Sequence, residues 1–276
     1  MGEHVGAWQG LATITARRDL APGYFALEVD CPAIASGAQP GGFAHVLVEG
    51  RDLCLRRPIS FFGVEGDLVT LVVGIHGAGT QWLAERAVGD TLDLLGPLGG
   101  RTLSLAPGAR RVALVGGGVG IPPLRFLAAR RPVDGPELVA FVGARSAERL
   151  LGQAEFAELG CEVVVSTDDG SAGFHGTVIG ALDAYAQRRP VDQVLACGPT
   201  PMMRAAAEWA TARGLPSQVC LEARMACGVG ACLSCVIETT EPGFRQYQRV
   251  CHEGPVFDGD QVVWERLSPL CSQPAG

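Results

Sequence analysis

The sequence predicts a multidomain chain: an antiparallel β-barrel over 1–104, an α/β module with a parallel sheet over 105–216, and a small cysteine-rich domain over 217–276. Three observations carry this. Up to about residue 104, short apolar runs are broken at close intervals by Gly, Pro and Asp clusters, the mark of barrels and sandwiches. From Arg110 continuous apolar runs alternate with helical stretches, which implies parallel strands with crossover connections. After Gly214-Leu-Pro216 the composition turns to Cys, Gly and Met. At roughly 150 residues per domain, a length of 276 residues suits two domains with room for a small third.

The elements follow in order. Strands are expected at Leu11 to Thr15, Tyr24 to Val29, Ala44 to Val48 and Leu68 to Val73, with a helix near Gly79 to Ala87 that turns Trp82 and Leu83 inward. Leu94-Leu-Gly-Pro-Leu-Gly-Gly100 reads as a loop closing the barrel, because Gly and Pro punctuate it. Beyond it, Val112 to Val115, Leu138 to Val142, Val163 to Ser166 and Val194 to Cys197 read as buried strands. Helices are expected over Pro122 to Arg130, Ala147 to Leu159, Gly176 to Gln187 and Pro201 to Arg213.

Composition excludes several function classes. A net charge of −7 argues against nucleic acid as a partner. All 22 basic residues are arginine, which excludes Schiff-base lysine chemistry and a P-loop lysine. The N-terminus has no basic stretch leading into an apolar one, and no run of about 18 apolar residues is free of Gly, Pro and charge, so neither a leader nor a membrane span is expected. The chain reads as cytoplasmic. In a reducing compartment, clustered cysteines mean metal or catalysis rather than cross-links. Six of the ten cysteines crowd the last fifth of the chain.

Cys227, Cys232 and Cys235 stand in C-x4-C-x2-C spacing, and Cys251 follows after 15 residues. That is the plant-type pattern for a [2Fe–2S] cluster. Gly228 and Gly230 permit the loop to curl and aim its amides at the sulfurs. Zinc or four unrelated thiols without a metal are the alternatives, although zinc sites usually show paired C-x2-C units or histidine partners. Cys31, Cys54, Cys161, Cys220 and Cys271 have no assignable role.

Four further motifs bear on nucleotides. The run Gly116-Gly117-Gly118-Val119-Gly120-Ile121-Pro122-Pro123 follows a strand and opens a helix, so its amides and the helix N-terminus would face a pyrophosphate. The strict G-x-G-x-x-G fingerprint fails at Ile121 or Pro123, and no acidic residue ends the second strand. Cys197-Gly198-Pro199 ends the last buried strand at the sheet edge where open α/β folds bind ligands, although on its own a buried strand residue followed by a plain turn is the better reading. In the barrel, Arg56-Arg57-Pro58-Ile59-Ser60 offers a guanidinium fork for phosphate and a hydroxyl for a flavin edge. Gly77-Ala-Gly79-Thr80 offers free amides at a helix start.

Taken in this order, Arg57-Pro-Ile-Ser60, Gly79-Thr80, Gly117-Gly-Val-Gly120-Ile-Pro-Pro123, Cys197-Gly-Pro199 and Leu221-Glu-Ala-Arg-Met-Ala-Cys227-Gly-Val-Gly-Ala-Cys232 make the chain resemble the electron-transfer subunits of NAD-dependent (class 1B) dihydroorotate dehydrogenase. These belong to the ferredoxin–NADP reductase superfamily. The resemblance implies an FAD barrel, an NAD module and a [2Fe–2S] domain. Carried over by position, Arg57, Pro58, Ile59 and Ser60 would hold the flavin and its phosphates. Val72, Val73 and Gly74 would run beside FAD, and Gly79 with Thr80 would bind its pyrophosphate. Gly117, Gly118 and Gly120 would take NAD, with Cys197, Gly198 and Pro199 near the nicotinamide. Cys227, Cys232, Cys235 and Cys251 would ligate the cluster. The chain departs from the family near Val73 and Gly74, where an aromatic and a basic residue are common.

The resemblance further implies an FMN-containing catalytic partner that oxidises dihydroorotate in pyrimidine (UMP) biosynthesis, assembled as two relay and two catalytic subunits. No catalytic acid or base is expected in this chain. The alternatives are another FAD/[2Fe–2S] reductase, of the sulfide dehydrogenase or ferredoxin:NADP type, or a zinc-stabilised binding module without redox activity.

Overall fold

Alternation of buried and exposed side chains closes the first part of the chain on itself. The computed structural model describes residues 6–50 and 53–267, so Cys271 lies outside the described residues. Strands β1 (Trp8–Ala21) and β2 (Tyr24–Asp30) precede a short helix α1 (Pro32–Ala35); β3 (Phe43–Val46), β4 (Arg57–Glu65) and β5 (Leu68–Gly74) precede α2 (Ala78–Ala84); β6 (Thr91–Leu98) completes the set. They form a closed antiparallel barrel in the order β1-β2-β5-β4-β3-β6. Its interior is filled by Ile14, Phe25, Leu27, Val29, Phe61, Leu71, Leu92 and Leu94.

One expectation fails here. Residues 94–98 are strand rather than loop, pairing with β1 on one side and β3 on the other. Leu92, Leu94, Gly96 and Leu98 alternate inward, so burial overrides the turn propensity of Gly and Pro. A register irregularity opposite Phe43 and His45 accommodates Pro97, which cannot donate to the ladder.

The second part is an open α/β sheet. Its elements are β7 (Arg111–Gly117), α3 (Ile121–Ala129), β8 (Glu137–Ala144), α4 (Gln153–Glu158), β9 (Glu162–Thr167), β10 (Phe174–His175), α5 (Val178–Ala186), β11 (Gln193–Cys197), α6 (Thr200–Thr211) and β12 (Ser217–Cys220). Sheet order is β10-β9-β8-β7-β11-β12, all parallel, with helices on both faces. Ala113, Val115, Val139, Phe141, Val194 and Ala196 face the side of α5 and α6. Val112, Leu114, Leu138, Ala140 and Leu195 face the side of α3 and α4. Burial on both faces explains why these strands read as continuous apolar runs. The helix expected over 147–159 is divided into a 3₁₀ turn, Ala147–Arg149, and α4. Gly152 interrupts it at φ 93°, a left-handed conformation in which a Cβ would meet Ile121 at 2.7 Å.

The last part contributes a small hairpin, β13 (Val236–Glu238) with β14 (Tyr247–Arg249), and β15 (Val256–Asp258). Strand β15 leaves the cysteine-rich segment and joins β12 antiparallel, so it finishes the sheet of the α/β module. Cys235, Cys251, Ile237 and Val250 accordingly share one core with that sheet and with Phe43 of the barrel. On the other side, Arg125 of α3 stacks its guanidinium on Phe62 of β4, 4.7 Å from the ring centre, tying barrel to sheet.

Candidate functional site: a cleft where three parts meet

A cleft of about 190 Å³ opens where barrel, sheet and cysteine segment converge. The barrel supplies Arg57, Pro58, Ile59, Ser60, Val72, Val73, Gly74, His76 and Thr80 to its walls. The glycine loop supplies Val119, and the ends of β11 and β12 supply Cys197 and Cys220. Leu221, Glu222, Ala223 and Met225, which lead into the cysteine loop, form the remaining side. Sequence motifs up to 168 residues apart therefore face one space, as Arg57 and Met225 illustrate.

On the barrel side the two adjacent arginines separate. Arg56 is tied to Asp93 at 2.9 Å and also donates to the Asp93 carbonyl, which makes it a structural strut. Arg57 alone reaches the cleft, where its guanidinium lies over the bare Cα of Gly79; any Cβ at 79 would collide with it. Thr80 Oγ1 accepts from the backbone N–H of His76 at 2.8 Å and of Gly77 at 3.2 Å, and so fixes the turn into α2. The aromatic and basic neighbours that the sequence lacks beside Val73 and Gly74 arrive from elsewhere. Tyr24 is the register partner of Gly74, and His76 sets its ring edge-on to Tyr24, 6.3 Å between centres. Only the long-range pairing of β2 with β5 reveals Tyr24, whereas His76 lies two residues beyond Gly74.

On the sheet side, order reverses between β7 and β11, and loops 117–120 and 197–199 both leave the strand ends at that switch point. A Cβ on Gly120 would strike the Cys197 carbonyl, and one on Gly117 would come 3.2 Å from Pro199 Cδ. Gly118 takes φ 53° beneath Tyr24. The glycines thus let loop 117–120 and loop 197–199 touch. Cys197 is buried against Cys220, and that contact together with desolvation holds it as a neutral thiol. Glu222 opens onto the cleft yet is crowded by protein, and this desolvation pushes its carboxyl above the usual range.

The four spaced cysteines come together in two pairs. Cys235 Sγ and Cys251 Sγ lie 3.2 Å apart, and the Cys232 N–H donates to Cys227 Sγ at 3.4 Å. Gly230 N–H donates to Cys251 Sγ at 3.2 Å. Gly228 and Gly230 take φ 72° and 81°, and Leu233 takes φ 61°, the one non-glycine residue with positive φ among the described residues. A leucine held there is strained, and such strain marks a functional loop. Arg249 clamps the loop by donating to the Gly230 carbonyl at 2.6 Å while pairing with Glu253. Bonding to Ser234 lowers the Cys232 thiol to about 6, and in the tightly coupled pair Cys235 is lowered while Cys251 is raised, so that pair favours one thiolate beside one thiol. Among the described residues no three His, Cys, Asp or Glu side chains are gathered tightly enough for one metal ion. Two thiol pairs fed by backbone amides suit a two-iron centre, which needs four cysteines.

Residues 222–263 match the family model for the iron–sulfur cluster binding domain of dihydroorotate dehydrogenase B, and residues 114–208 match the oxidoreductase NAD-binding domain. The "dihydroorotate dehydrogenase B (NAD(+)), electron transfer subunit" of Desulforamulus reducens is 40% identical over 92% of this chain and 98% of its own. Its namesake from Shouchella clausii is 38% identical over 92% and 98%. The chain belongs to this family of electron transfer subunits. A solved structure described as an NADH-dependent reduced ferredoxin-NADP oxidoreductase superposes with TM-score 0.83 at 31% identity, covering 93% of this chain and 91% of that one. A ferredoxin reductase of carbazole 1,9a-dioxygenase shares the fold at TM-score 0.59.

As a member of the dihydroorotate dehydrogenase B electron transfer family, the chain is an NAD-linked oxidoreductase subunit that uses FAD, NAD and an iron–sulfur centre. No helix among the described residues is long and apolar enough to cross a membrane.

Proposed function

We propose that the chain carries electrons between a dihydroorotate-oxidising catalytic subunit and NAD⁺ in pyrimidine biosynthesis, with the cleft as its junction. One observation carries this reading: the barrel strands, the switch-point glycine loop and the approach to the cysteine loop line the same cleft. A flavin exchanges a hydride with a nicotinamide and single electrons with an iron–sulfur centre, so it belongs between them.

The residues divide as follows. Arg57 meets the flavin's phosphates, and Ile59, Ser60, Val72, Val73 and Gly74 flank its ring. Gly79 leaves room for Arg57, and Thr80 holds the turn that offers its amides. Gly117, Gly118 and Gly120 bring backbone close to the dinucleotide, and Gly198 and Pro199 shape the wall behind it. Cys197 stays a neutral, polarizable floor. Cys227, Cys232, Cys235 and Cys251 hold the two-iron centre. The functional division is a flavin barrel over 1–104, an NAD module over 105–216 and a cluster module over 217–276.

The partner docks on the cysteine loop. Val229 and Leu233 are exposed beside Cys232, itself exposed, and Phe244 and Tyr247 stand out from the same module. The partner is an FMN-bearing catalytic subunit, joined as two plus two in the cytoplasm. Co-expression of both chains tests this: dihydroorotate should reduce NAD⁺ only when both are present, with a native mass of four chains. A loaded complex that forms no NADH sinks the proposal. Arg145, exposed just after β8, and the oxidoreductase neighbour favour one rival, an NADP-linked reductase. Strong preference for NADPH in cofactor titration decides for it.

A further inference from the structure

His45 is fully buried, yet neither ring nitrogen has a partner among the described residues. Buried polar atoms in folded proteins almost always have one. A neutral imidazole carries a proton on one nitrogen in either tautomer, so one of the two is an unsatisfied donor.

The alternation of β3 places it. Ala44 and Val46 point into the barrel core, so Phe43 and His45 point outward, where Phe43 joins the core that holds Cys235 and Cys251. The nitrogen-bearing edge of His45 faces Gly228: a Cβ built there would come 2.6 Å from Nδ1 and 3.0 Å from Nε2. Gly228 follows Cys227 directly and has positive φ, so the imidazole occupies the space that any side chain at 228 would take. Among the described residues no acceptor bonds either nitrogen. Phe43 presents a tilted ring 5.6 Å away, and Arg56 donates to the His45 carbonyl while bound to Asp93.

We propose that His45 donates a ring N–H to the sulfur atoms, thiolate or inorganic sulfide, of the iron–sulfur centre held by Cys227, Cys232, Cys235 and Cys251, and so raises its reduction potential. The proposal rests on the reading of that loop as a cluster site. The cause is electrostatic: reduction adds negative charge to the sulfurs, and a donor favours the more negative state. His45 would thus touch the centre directly from a strand of the flavin frame. In the register of β3 with β4 it pairs with Pro58, and Phe43 pairs with Ser60.

The test is an anaerobic redox titration of the full-length holoprotein, following the reduced centre by electron paramagnetic resonance and FAD by absorbance. His45→Leu should shift the centre's reduction equilibrium about tenfold toward the oxidised form, ~59 mV for a one-electron couple. His45→Gln, which keeps an N–H donor, should stay nearer the native value, and the FAD potential should hold in both. An unmoved cluster potential in His45→Leu at native iron content overturns the proposal, as does an equal shift in both variants. Should His45→Leu lose its iron, pulsed resonance on native protein containing ¹⁵N-histidine decides. A coupling that disappears in His45→Gln but survives in His252→Gln supports the bond, and no coupling in the native protein refutes it. Native protein with iron absent and no cluster signal refutes the cluster site itself, a separately recognisable outcome.

Discussion

Gly228 shows how narrow the tolerance is at single residues. It combines positive φ with a Cα pressed against His45, so two independent penalties meet in one Cβ. Left-handed backbone alone costs a non-glycine residue about 1–2 kcal/mol. Gly228→Ala should therefore lose most of its iron and sulfide on purification while keeping FAD, as metal analysis and flavin absorbance would record. Glu253 makes a second case. Its bond with Arg249 lowers its carboxyl from 4.5 to about 2. A depressed carboxyl stabilises the fold fully above its unfolded value and loses that contribution as pH falls through the folded one. The clamp should thus weaken between about pH 4.5 and about pH 2. Thermal melts of the metal-free chain should show a shallower acid dependence in Arg249→Gln; an identical slope would dismiss the clamp.

Among the elements, α2 tests how the flavin side is held. Thr80 accepts two backbone N–H groups at the turn into this seven-residue helix. Thr80→Val keeps the shape and removes the acceptor, and a lost cap costs about 1 kcal/mol. A drop in melting temperature should accompany weaker FAD retention, read by flavin fluorescence during dialysis. What the sequence revealed about such elements followed from local pattern. The β/α alternation, the glycine loop and the cysteine spacing were legible because each writes its chemistry in adjacent residues. Strand β6 was not, since Gly96 and Pro97 signal a turn and only pairing to β1 and β3 makes them strand. Tyr24, His45 and Glu222 were equally silent. Each owes its place to a contact with a distant segment, and no spacing encodes that.

For the molecule as a whole, five of the ten exposed large apolar residues among the described residues lie on the cysteine-bearing segment, beside the proposed entry point of electrons. Leu233 is 62% exposed and Phe244 fully so, on the module that carries the cysteines. Leu233→Glu should weaken association with the catalytic subunit tenfold or more, measured by light scattering of the mixed chains, while FAD and iron content stay native. Retained assembly would move the interface elsewhere.

Strand β15 ties the cysteine-rich segment into the sheet of the α/β module. Because the cysteine-rich segment lends this strand to β12, the cluster module is not a bead that gene fusion could add or remove cleanly. A chain cut before Val256 would present β12 as a raw edge, and open edges invite pairing between molecules. Exchange with a relative's module should succeed only when the crossover carries β12 and β15 together, because the seam between them must move as one piece.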